Sequence, residues 1–274
     1  MACRVSVSQI TILLLYLLAA GAFTASRLPR FSTRSQPLFV VATIAAATGI
    51  AIHGEALFSL IFGGDGFDLT IGNVISLIGF ELAIVSLIAS LEPTLRGISG
   101  GLVLLASLTV LLMGPSGDAL TGIGLAWQVR GHILIAMLSY GLLTVGTIVA
   151  IYALVQERRL RAAKLSPVNQ LFAPLETTER LLFGVAAAGF VGLTFAIVSG
   201  LSFVDDLIEQ HLAHKFGLSL LAWIIFGVLL AGRHFRGWRG KRAVRLYLGG
   251  FAVLCLAYFG SRLILEEVFN RSWG

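Results

Sequence analysis

Charge is what this chain has least of. Asp, Glu, Lys and Arg together make up 12% of its 274 residues, about half the share found in an average soluble protein. So few charges exclude an ordinary soluble enzyme and a disordered chain. Cysteine is nearly absent as well. Cys3 and Cys255 lie far apart and no C-x-x-C pair occurs, which excludes a disulfide framework, an internal thiol relay and a cysteine metal site. No run alternates polar and apolar residues as a membrane β-strand does, which argues against a transmembrane barrel. The net charge of +6 does not describe a nucleic-acid surface, because the basic residues fall in short loops between apolar runs.

What is present is apolar. Hydrophobic residues make up 57% of the chain and glycine adds 31 positions; the mean hydropathy is +0.91. A helix needs about 20 apolar residues to cross roughly 30 Å of hydrocarbon, so eight spans use about 160 residues and leave only short loops. The runs predict helices over 7–24, 37–62, 70–90, 97–113, 131–156, 181–203, 215–232 and 245–264. Pro29, Gly63, Pro93, Pro115, Pro167, Pro174 and the stretch from Gly237 to Gly240 break them. The expectation is an all-α polytopic transmembrane helical bundle, one integral membrane domain over 1–274, with no internal repeat.

Alternate loops differ in charge. One set, around Arg27 to Arg34, Arg96, Arg158 to Arg180 and Arg233 to Arg245, carries fifteen Lys and Arg; the other carries five. The richer set belongs in the cytoplasm, which puts both termini outside. Cleavage of the first segment as a signal peptide would invert every later loop against this pattern, so it reads as a true span. The span count suits a bacterial inner (plasma) membrane, with the lipid bilayer as the first partner.

Polar groups inside such spans need a reason, since a charge at the bilayer centre costs at least about 2.5–3.5 kcal/mol. Glu81 sits near the middle of the third span, with Asn73 and Ser76 toward its outer end. A carboxyl group at that depth is expected to face the bundle. His53 and Glu55 are two residues apart and point to nearly opposite sides of the second span, so one faces the bundle and the other an edge. His132 opens the fifth span and His214 the seventh, which places three histidines at similar outer depth on three helices. On the fifth span His132, Ser139 and Thr147 fall within about 80° of one another, a polar stripe that should face inward. Neutral imidazole binds heme iron, and a pair of axial histidines suits iron carriage or electron transfer rather than oxygen chemistry.

Plainer readings stand beside these. A single interfacial histidine is usually a tolerated polar residue. His211 and His214, at i and i+3, read first as one face of a short surface helix over 203–214. His234 is alone in the basic loop, and that loop, with Trp238, reads as a topology anchor with lipid-headgroup contacts. The stretch Gln156–Arg180 reads as a cytoplasmic connector. No catalytic dyad with workable spacing appears, so no enzymatic turnover is expected.

Several segments taken in order resemble the cytochrome c assembly protein family, the CcsA/HemX-type heme-handling membrane proteins. They are Phe67 to Leu77, the fifth span Gly131 to Gly141 with its His, Ser and Tyr, Leu218 to Ala243, and Gly250 to Gly260. Pro174 to Phe183 is similar to the small inner-membrane branch called YpjD-like. The resemblance implies heme b bound near the outer face and a role in c-type cytochrome biogenesis. It matches His132 to the family's outer-facing ligand and His53 to its early transmembrane histidine; His214 is the other candidate for a second ligand. The large members carry a tryptophan-rich outer segment and a second outer histidine after the last span. Here those places hold Phe203 to His214, without Trp, and Glu266 to Gly274, without His. Two other readings stay open: a secondary transporter or ion pathway using Glu81, Glu55 and Asn73, and a non-heme accessory subunit of another membrane protein.

Overall fold

A computed structural model describes residues 6–62, 70–114, 127–161, 173–203 and 213–257. Within them lie eight α-helices and no strand: α1 (Val7–Ala25), α2 (Ser35–Phe62), α3 (Ile71–Ser90), α4 (Arg96–Thr109), α5 (Trp127–Arg161), α6 (Leu175–Phe203), α7 (Ala213–Arg236) and α8 (Gly240–Cys255). Each predicted span is a helix. Seven helical stretches are long and apolar enough to cross a membrane. The described part of α8 is 16 residues, or about 24 Å at 1.5 Å per residue.

Local chemistry sets the ends. Ser6 and Gln9 form a capping box that starts α1. Pro29 and Pro93 each open a 3-10 turn, Pro29–Arg34 and Pro93–Leu95, where a missing N–H costs nothing and a fixed φ suits the first turn. Helix α4 stops at Thr109 and tightens into the 3-10 turn Val110–Leu112. The helices α5 and α6 run well past their predicted apolar cores, to Arg161 and back to Leu175. Much of the expected connector 156–180 is thus helical. Its polar ends carry the i,i+4 pairs Glu157–Arg161 and Glu176–Arg180, which support exposed helix without any apolar face.

The chain divides into two compact units, Met1–Ala126 with Gln156–Leu181, and Trp127–Val155 with Leu182–Gly274. Helices α5 and α6 contribute residues to both units. In the first unit α1 packs on α2 and α4, and α3 packs on the same two helices, so four helices close a ring. The second unit closes another. There α5 bonds to α6 through Ser139 and Gly189, and Trp223 of α7 reaches Thr194 of α6. Phe226 of α7 meets Tyr247 of α8 edge-on, and the Tyr247 hydroxyl donates to the Leu143 carbonyl of α5.

Both rings bring backbones close with small residues. A Cβ at Gly79 would overlap the Thr109 side chain, and one at Gly146 would overlap the Tyr247 hydroxyl. Leu14, Leu18, Ile44, Leu108, Val191 and Phe195 point outward and are largely exposed. In lipid that arrangement carries no penalty, because acyl chains are as apolar as leucine; packing of small residues and hydrogen bonds hold the helices together instead.

Candidate functional site

His132 lies in the second turn of α5, half-buried, facing α6. Its Nδ1 is 2.9 Å from Ser199 Oγ. Ser199 in turn donates its hydroxyl proton to the Ala196 carbonyl at 3.1 Å, as serine in a helix commonly does. Which of His132 and Ser199 donates in their bond depends on the tautomer of the ring. A neutral ring with its proton on Nδ1 carries its lone pair on Nε2, the atom that a metal takes. Gly200 lies beside the ring, where a Cβ would come within 3.2 Å of Cε1. Two turns further along, the fully buried Ser139 donates to the Gly189 carbonyl at 2.8 Å. The predicted stripe thus faces α6 at His132 and Ser139. Thr147, half-buried, bonds back to Leu143 within its own helix.

His53 is different in kind. It is wholly buried on α2. Tyr16 Oη of α1 lies 3.1 Å from its Nδ1, and Ser76 Oγ of α3 lies 2.9 Å from its Nε2. Both ring nitrogens are hydrogen-bonded, and the rings of Tyr16 and Phe80 stand edge-on against it. One imidazole ties three helices together. Coordinating iron there would break one of the two bonds. His53 belongs to the first unit and His132 to the second. His214 starts α7, but its side chain lies outside the described residues, as does His211 with most of the expected surface helix. His234 is exposed in the last turn of α7 against Phe235.

The remaining polar residues sort by what they touch. Asn73, fully buried, accepts from the Gly114 backbone N–H at 3.1 Å. Gln9 donates to the carbonyls of Val110 and Met113. Between them they satisfy the backbone that α4 leaves open at its end. Asn73 is therefore occupied by a structural bond. Glu55 is exposed, on the side of α2 away from His53. Glu81 is 4% exposed, and among the described residues neither carboxyl oxygen has a hydrogen-bond partner.

The sequence reading missed Ser199, Tyr16 and Gln9. Ser199 lies near the end of the sixth span at the depth expected for His132, so matched depth was the available signal. For Tyr16 and Gln9 no such signal exists, because partners 37 and 101 or more residues away depend on which helices become neighbours. As to cofactor, the donor chemistry at His132, a half-buried imidazole beside a serine hydroxyl, fits a ligand of heme iron. The doubly bonded His53 fits it poorly.

Residues 9–269 match the family described as Cytochrome C assembly protein, and the chain belongs to that family. It is 29% identical over 237 residues to the inner membrane protein YpjD of Escherichia coli, covering 83% of this chain and 88% of that one. It is 24% identical over 176 residues to the cytochrome c biogenesis protein CcsA of a Synechococcus strain, covering 54% and 57%. Against CcsA of Microcystis aeruginosa it is 28% identical over 113 residues, covering 40% and 34%. No solved structure matches it.

Proposed function

We propose that this multi-pass membrane protein of the cytochrome c assembly family sits in the bacterial inner membrane with both termini outside. There it binds heme b at the N-terminal end of α5 and handles it for c-type cytochrome assembly, without catalytic turnover. The family match supports heme handling. The observation that carries the site is the chain His132 Nδ1, Ser199 Oγ, Ala196 carbonyl. It supports a ligand role for the imidazole, because ligand histidines are oriented elsewhere by a partner on the other nitrogen. His132 and His214 would hold the iron. Bound there, heme would supply an iron centre suited to carriage rather than oxygen activation.

Full-length protein purified in detergent from heme-replete cells is expected to show a Soret band and a positive pyridine hemochromogen assay. His132→Ala should shift or abolish the band, His214→Ala should weaken it, and His234→Ala should leave it unchanged. Wild-type protein without heme by both assays would overturn the reading. The accessory-subunit reading would then stand, favoured by the two ordinary structural bonds of His53 and by the outer segment without tryptophan.

A further inference from the structure

The turn between α7 and α8 builds a second place for a ligand. Gly237 and Gly240 both take positive φ, 62° and 63°, a conformation that a side chain resists. Between them the chain doubles back, and the Trp238 N–H donates to the Gly232 carbonyl at 3.1 Å. The indole lies flat on Gly232, where any Cβ would overlap it. The Arg242 guanidinium lies over the indole, 4.1 Å from the ring centroid. Beside this stack opens a cleft of about 580 Å³ lined by Val228, Trp238, Lys241, Arg242, Arg245 and Leu246.

The lining divides into two halves. Val228 and Leu246 offer an apolar wall on membrane-spanning helices. Lys241, Arg242 and Arg245 are spaced i, i+1 and i+4, which puts three cations on neighbouring positions of the first turns of α8. No Asp or Glu occurs between Glu209 and Glu266, so this stretch of sequence is uniformly basic. Arg245 makes no ion pair or hydrogen bond among the described residues. A ligand that satisfies both halves has a phosphodiester anion at one end and a hydrocarbon chain at the other. Because α7 and α8 end here, the cleft lies at the edge of the hydrocarbon layer, where tryptophan is favoured.

We propose that this cleft is a binding site for one anionic glycerophospholipid. The phosphate sits among Lys241, Arg242 and Arg245, and an acyl chain runs along Val228 and Leu246. This goes beyond a diffuse attraction of basic loops to an anionic leaflet, because a rigid aromatic floor and an apolar wall select one molecule. It does not depend on heme.

The test uses the full chain in detergent, with native mass spectrometry and added dioleoyl phosphatidylglycerol, dioleoyl phosphatidylcholine or inorganic phosphate. Wild-type protein should retain one phosphatidylglycerol saturably and prefer it to phosphatidylcholine. Arg242→Gln or Arg245→Gln alone should weaken retention about five-fold. Arg158→Gln with Arg159→Gln, which removes twice that charge elsewhere, should not. Val228→Phe narrows the apolar wall without touching charge and should also reduce retention, which keeps the test open if an arginine variant does not accumulate. Retention unaltered by Arg245→Gln and Val228→Phe, or equal loss from the Arg158/Arg159 pair, would overturn the site. Displacement of the lipid by phosphate at equal concentration would overturn the lipid assignment.

Discussion

At the scale of single residues, His53 and His132 show how one side chain serves two ends. His132 is half-buried with Nδ1 beside the Ser199 hydroxyl, while His53 is fully buried with both nitrogens hydrogen-bonded. Ser199→Ala should therefore lower heme affinity by about ten-fold or more, as loss of an orienting partner does at metal sites; titration of heme into the purified protein measures it. Tyr16→Phe removes one bond from His53 and should cost about 0.6–1.7 kcal/mol, the range for hydrogen bonds between membrane helices. Unfolding in mixed micelles reads that loss, and the Soret band should not move. A Tyr16→Phe variant that lost heme would assign His53 to the cofactor instead. Glu81 needs its own experiment. Glu81→Gln keeps the shape and removes the ionisable group, so it should accumulate at least as well as wild type. Glu81→Lys should accumulate less, because a buried unpaired charge is costly. Equal amounts of the Lys variant by membrane blotting would place this position near water.

At the scale of elements, the stability of each ring rests on close approach. Helix α3 meets α4 where Gly79 faces Thr109. The side chain added by Gly79→Val has nowhere to go, and overpacking of this kind costs about 1–3 kcal/mol. Gly101→Val, on α4, meets nothing within 4 Å and should be nearly silent. The same unfolding assay in mixed micelles compares the two, and equal losses would mean that helix propensity rather than packing decides. The end of α4 follows the same logic. Just beyond it, the Val110 and Met113 carbonyls and the Gly114 N–H are satisfied by Gln9 and Asn73 from other helices. A break that the sequence places near Gly114 and Pro115 is thus held from outside the helix.

At the scale of the whole molecule, each unit is a ring of four helices in chain order, α1 to α4 and α5 to α8. The number of spans fixes the relation of the two ends. Eight spans put them on one side, whereas seven would put them on opposite sides. The described part of α8 is 16 residues, about 24 Å, against a hydrocarbon layer of roughly 30 Å. Reporter enzymes that work only in the periplasm should be active when fused before Val7 and after Gly274. Activity of only a cytoplasmic reporter after Gly274 would reverse the placement of His132 and the α7–α8 cleft or reduce the count to seven.

The amino-acid sequence alone determined the class of this protein, its eight helices and the breaks at Pro29, Pro93 and Gly237 to Gly240. Each of those follows from local causes: apolar length against bilayer thickness, proline at the first turn, glycine at positive φ. It also determined that His132 and Ser139 share a face, because helical period fixes side-chain direction. Only the tertiary structure decided which polar groups meet. His53 was legible as a buried polar residue, but its bonds to Tyr16 and Ser76 exist because α1, α2 and α3 are neighbours. Asn73 read equally well as part of an ion pathway until the end of α4 was placed beside it. The division into two rings was invisible for the same reason. Lipid-facing and bundle-facing apolar residues have the same chemistry, so a hydrophobic span carries little record of its partners; small residues and hydrogen bonds choose them, and those act only once the helices have come together.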